Sequence, residues 1–181
     1  GNNVVIGKDA GDALTTGSYH TLIGKGSGSA LAAGQVLTNG TVAVGTFSLG
    51  AMTTGARNHA VGYNAMATMN GTESDNVGLG YRVMEAMDND DSSENVVIGN
   101  YAMSGITTLS VGECVAIGYE ALKGTSATSE NGTVAIGRSA LSGLTTGARN
   151  LAVGYQALED MTLGDDNIAL GYLALNGLTT D

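Results

Sequence analysis

The sequence predicts an all-β chain, a parallel β-roll or β-solenoid of ten short coils. Three observations carry that prediction. First, a short apolar run closed by glycine recurs along the chain, at Gly7, Gly24, Gly45, Gly62, Gly80, Gly99, Gly118, Gly137, Gly154 and Gly171, with spacings of 17 to 21 residues. A fixed period of this size marks a solenoid, whose units bury their apolar faces only by stacking. Second, each run is three or four residues long and rich in β-branched side chains, which suits a strand and is too short for a helix. Third, the 181 residues include one Phe and no Trp, too few large aromatics for an ordinary thick core.

Within a coil, the strand comes first. Asn3-Val4-Val5-Ile6-Gly7 recurs as Asn95-Val96-Val97-Ile98-Gly99, with variants such as Val115-Ala116-Ile117-Gly118. The residue before the glycine is Ile, Val or Leu in all ten coils, and the residue three before it is apolar in eight, Thr21 and His59 being the exceptions. The residue between them is Ala or Gly in seven. Side chains alternate along a strand, so one face is bulky and one small, and both are apolar. The expectation is that the bulky face packs inward on a second strand of the same coil. The small face then lies outward against a neighbouring chain, which predicts a homotrimer roughly 48 Å long.

The glycine itself should supply a positive φ where the coil turns. No Lys-Ser/Thr pair or following helix makes it a phosphate loop. The second segment follows, as in Tyr63-Asn64-Ala65-Met66 and Tyr155-Gln156-Ala157-Leu158, and a polar turn, often Thr-Thr-Gly, closes the unit. Four residues before the glycine, Asn3, Asn58, Asn76, Asn95, Asn150 and Asn167 form a column that predicts an amide ladder. Cys114 stands in the same column and reads as a small buried replacement.

A longer period lies above the coil. Residues 39–66 align without a gap onto 131–158 with 18 of 28 positions identical, and residues 2–18 align onto 94–110. The chain therefore reads as a five-coil block, 1–92, duplicated as 93–181 in one continuous solenoid. It opens on a repeat and closes mid-repeat, which suggests a piece of a longer chain.

Composition narrows function. A net charge of −10 argues against nucleic-acid partners, and no apolar run is long enough for membrane insertion by a helix. Nothing points to a cofactor or to an enzyme: His20 and His59 fall in different coils and columns, with no triad spacing. The acidic stretch around Asp88, Asp90, Asp91 and Glu94 is the best cation candidate. It lacks a calcium loop's glycine and terminal glutamate, and a solvated loop is the simpler reading. Tyr63, Tyr81, Tyr119, Tyr155 and Tyr172 each follow an anchoring glycine and would form a stripe, for packing or for carbohydrate. Arg57 and Arg149 occupy equivalent turns, where they would pair with acids of a neighbouring chain or stay in solvent.

The motifs Asn150-Leu151-Ala152-Val153-Gly154 and Val134-Ala135-Ile136-Gly137 resemble the head repeats of trimeric autotransporter adhesins. The longer Val115-Ala116-Ile117-Gly118-Tyr119-Glu120-Ala121-Leu122 is more similar to repeats of tailed-bacteriophage tail fibres. That resemblance implies a left-handed, trimeric β-roll at a virion or cell surface. The function expected is a tail-fibre shaft segment supporting host attachment, with a host glycan or receptor as a further partner. The alternative is the head of a bacterial surface adhesin. An ice-binding solenoid is a third reading, which would need a regular threonine array.

Overall fold

The structure is a computed structural model and describes residues 1–31, 39–87, 92–106, 111–124 and 131–180. Each coil contributes one three-residue strand to a single sheet. The strands are β1 (Val4–Ile6), β2 (Thr21–Ile23), β3 (Val42–Val44), β4 (His59–Val61), β5 (Val77–Leu79), β6 (Val96–Ile98), β7 (Val115–Ile117), β8 (Val134–Ile136), β9 (Leu151–Val153) and β10 (Ile168–Leu170). They run parallel in sequence order, the arrangement of a β-solenoid. The register never slips, so Val4 lies beside Thr21, Thr21 beside Val42, and so on. The junction between the sequence blocks, β5 to β6, pairs like every other.

Two expectations are corrected. The segment after the glycine is not a second strand. Its backbone is left-handed at the second and fourth residues after the glycine in every coil, as at Asn64 (φ 52°) and Met66 (φ 53°), or Gln156 (φ 53°) and Leu158 (φ 52°). A β-strand cannot hold those angles. The segment still joins the coils: Asn64 N donates to Thr46 O at 3.0 Å, and Met66 N to Val83 O at 2.9 Å. Each such non-glycine residue costs on the order of 1 kcal/mol locally, and these inter-coil bonds are what hold it in place.

The faces are also inverted. The small middle residues point inward: Ala43, Ala60, Ala116, Ala135 and Ala152 are fully buried, while the bulky residues on either side of them face out. The reason lies in the opposite wall. There Met66, Met84, Met103, Leu122, Leu141 and Leu158, four residues after each glycine, fill the interior together with Met52, Met69, Met87, Leu144 and Met161. The roll is thin, so large side chains on one wall leave room only for small ones on the other. Two coils show the compensation at its extremes. Coil 2 has a large Leu22 in its strand, and the facing wall position is Gly28, where an added Cβ would lie 2.9 Å from Leu22 Cδ2. Coil 5 has Gly78 in its strand, where a Cβ would lie 2.7 Å from Met66 Cε.

The anchoring glycines stack directly on one another with φ between 128° and 149°. A Cβ on Gly62 would come within 2.1 Å of the Gly80 carbonyl oxygen. Both the backbone angle and the closeness of the next coil therefore demand glycine here.

Candidate functional site

The amide ladder forms inside the roll. Asn76 Oδ1 accepts from the Asn95 backbone N at 3.1 Å and from Asn95 Nδ2 at 3.0 Å, and Asn76 Nδ2 donates to Asn58 Oδ1 at 3.1 Å and Ser92 O at 2.9 Å. Cys114 continues it: its backbone N donates to Asn95 Oδ1 at 3.0 Å and its buried thiol to Gly112 O at 3.4 Å. The same column also holds His20 and Thr41, which the asparagine pattern did not bring out. Both are buried, and His20 Nδ1, His20 Nε2 and Thr41 Oγ1 have no hydrogen-bond partner among the described residues. Burial holds the His20 imidazole below its ordinary value near 6.5. His59 sits on the outer face of β4 instead, so the two histidines point to opposite sides of the wall.

The outer face of the sheet is the largest unusual surface. Val4, Val42, Val77, Val96, Val115, Val134, Leu151 and Ile168 stand in one column, interrupted by Thr21 and His59, and Ile6, Ile23, Val44, Val61, Leu79, Ile98, Ile117, Ile136, Val153 and Leu170 in the next. Even in mid-sheet, flanked by strands on both sides, Ile98 and Val96 are each 38% exposed. Continuous apolar area of this extent on a folded chain marks an interaction surface.

Beside it runs the tyrosine stripe. Tyr63 stacks on Tyr81 at 5.4 Å with 11° between the planes, and Tyr155 on Tyr172 at 5.4 Å and 19°. Tyr101, one position further along its coil, joins edge-on to Tyr81 and Tyr119, filling the place where Asn100 replaces tyrosine. The Arg138 guanidinium bridges Tyr119 and Tyr155, 5.5 and 5.8 Å from their centroids. Lys25 lies 5.6 Å from the Phe47 centroid. Burial, helped by a hydrogen bond with Tyr101, pushes the Tyr81 phenol up. Stacked rings spend their faces on each other, so the Tyr63–Tyr81 and Tyr155–Tyr172 pairs offer mainly edges and hydroxyls outward. A sugar ring stacks on an aromatic face, and this arrangement favours packing over carbohydrate.

Arg57 and Arg149 bind within their own chain. Arg57 makes a two-pronged pair with Asp75 of the next coil, both bonds at 2.6 Å, and Arg149 one with Asp166 at 2.7 and 3.0 Å. Side-chain hydrogen bonds from these arginines hold the Asp75 and Asp166 carboxyls below the ordinary range. An 18- or 17-residue offset places the partners on adjacent coils, a spacing already present in the sequence.

Asp88, Asp90 and Asp91 of the cation candidate lie outside the described residues, and Glu94 is exposed on the flank before β6. Among the described residues no group of three His, Cys, Asp or Glu side chains could hold a metal ion, and no helix is long and apolar enough to cross a membrane. Among the described residues, turn threonines bond to the next coil, as Thr54 Oγ1 does to Gly71 O at 2.6 Å and Thr145 Oγ1 to Thr162 O at 2.7 Å. No protein-family model matches this chain, and comparison with curated proteins and with solved structures returns no match.

Proposed function

We propose that this chain is a structural segment of a homotrimeric rod, the shaft of a phage tail fibre or similar virion appendage that supports attachment to a host surface. The observation that carries the reading is the outward Val/Ile face, which runs the full length of the sheet. Copies packed around a common axis cover that face on every chain at once. The trimer inferred from the sequence thus keeps its logic but changes its contact, from the small residues to the bulky ones. The left-handed sense of the roll rests on the resemblance of the repeat motifs. The role is mechanical and non-catalytic: the rod holds a distal binding tip away from the particle, and weak contacts along it act together.

Sedimentation equilibrium tests the assembly directly. A mass of three chains is expected, and Ile117→Asp, on the outward face and away from the interior, should release monomers that keep their folded circular dichroism spectrum. A soluble wild-type monomer would refute the reading. A glycan array then separates shaft from adhesin: a shaft shows no binding tighter than about millimolar, whereas strong binding along the segment would make it a receptor-binding head.

A further inference from the structure

The outward face is bordered by flanks of opposite character. The column just after the anchoring glycines carries Lys8, Lys25, Arg138 and the tyrosines, with no acidic residue. The column five residues before them carries Asp75, Glu94, Glu113 and Asp166 with Arg57 and Arg149. Asp75 and Asp166 are answered by those arginines within the chain. Glu94 and Glu113 are exposed, stand one above the other on adjacent coils, and enter no ion pair among the described residues. Like charges one interstrand spacing apart, about 4.8 Å, repel. Arg138 mirrors them: it lies against two rings and pairs with no carboxylate among the described residues. The two flanks are six residues apart along each coil, roughly 20 Å if extended, so Glu113 and Arg138 of one chain do not meet.

We propose that they meet between copies: Glu94 and Glu113 of one chain seat on Arg138 and on the hydroxyls of Tyr101 and Tyr119 of an adjacent, parallel copy. This rests on the assembly proposed above and adds its orientation and contacts. When parallel copies turn their apolar faces to a common axis, the acidic flank of one lies beside the basic-aromatic flank of the next. Antiparallel packing would instead set acid against acid. The levels also agree. Glu94 precedes β6, which Tyr101 follows, and Glu113 precedes β7, which Tyr119 follows, so each acid is level with a tyrosine; Arg138 follows β8, one coil beyond Glu113. Guanidinium and phenol groups donate and carboxylates accept, so each contact is a charge-assisted hydrogen bond. The apolar face spans roughly 43 Å by 13 Å, and each copy divides it between two neighbours, so a pair buries on the order of 560 Å² and the trimer about 1,700 Å², each pairwise contact falling below the usual size of a specific interface. With so little area in surplus, flank charges decide which way the copies run.

A charge swap tests this by sedimentation equilibrium at low salt. Arg138→Glu and Glu113→Arg should each lower the association constant about tenfold or more, and the double variant should return to within about threefold of wild type. Glu113→Arg suits the fold, because arginine already occupies that column with the same left-handed φ at Arg57 and Arg149. Circular dichroism spectra, unchanged in all variants, confirm that folding is not what moved. Assembled wild type with unaffected single variants, or singles weakened without rescue in the double, would overturn the contact and leave the assembly standing. A monomeric wild type would overturn both.

Discussion

The size pairing across the roll predicts a sharp compensation in coil 2. Leu22 is fully buried, and the wall position facing it is Gly28, which has no side chain to relax into a vacated space. Leu22→Ala should therefore cost toward the upper end of the usual range for such changes, about 3–5 kcal/mol. Gly28→Leu alone brings a Cβ to 2.8 Å from Leu31 Cδ1 and 2.9 Å from Leu22 Cδ2, an overpacking worth roughly 1–3 kcal/mol. The double variant rebuilds the arrangement of coil 8, where Ala135 faces Leu141 at the same left-handed position, φ 53°. It should lie within about 2 kcal/mol of the parent, a favourable coupling of roughly 3 kcal/mol. Urea denaturation gives the four corners of the cycle, and hydrogen exchange at the Gly24 and Thr21 amides places the effect in coil 2. Additive losses in the double variant would refute the claim that opposing side-chain size sets which strand face is buried.

Three further outcomes follow from the same geometry. Gly62→Ala should cost about 3 kcal/mol or more, because the new methyl meets the Gly80 carbonyl at a φ of 140°; a midpoint shift in urea measures it. Asn76→Ala strips partners from the buried Asn95 amide and from Ser92 O, and should cost about 3–5 kcal/mol with lost exchange protection at Asn95 and Val96. His20 is held below its ordinary value, so the unfolded chain takes up the proton first. Its contribution is intact above about pH 6.5 and falls by up to about 1.4 kcal/mol per pH unit below that, until the buried ring itself protonates. His20→Asn should flatten that slope in denaturation midpoints measured between pH 8 and 5.5, and an unchanged slope would assign the acid sensitivity elsewhere.

The period and the glycine column were legible in the sequence because each is a backbone requirement that glycine alone satisfies, and the amide ladder because asparagine fills most of its column. Which face of the strand is buried was not legible. The alternation of bulky Val115 and Ile117 with small Ala116 shows that the faces differ. The choice between them is made by Leu and Met on the facing wall, at positions 17 to 21 residues apart that read as a second strand.

The left-handed wall positions were hidden for a related reason. Gly11, Gly26 and Gly28 signal them in the first two coils, whereas later coils hold Phe47, Leu49, Arg82 or Met103 there, kept in place by bonds to neighbouring coils. The in-chain pairs of Arg57 and Arg149 needed only the coil offset to be read, and the orphaned His20 needed its column to be followed past the asparagines.

The bonds that join one coil to the next, such as Val42 N to Asn58 O and Met66 N to Val83 O, lie along the stacking direction. Tension on the ends is therefore carried by the coil junctions in series, and the weakest junction sets the breaking load. Among the described residues His20 and Thr41 leave the ladder unmade at the junction between β2 and β3, while Arg57–Asp75 and Arg149–Asp166 add a bond to the junctions they cross. Adding coils lengthens such an array without strengthening it. In the proposed trimer, strength comes from the side, where an adjoining copy spans each junction and shares its load.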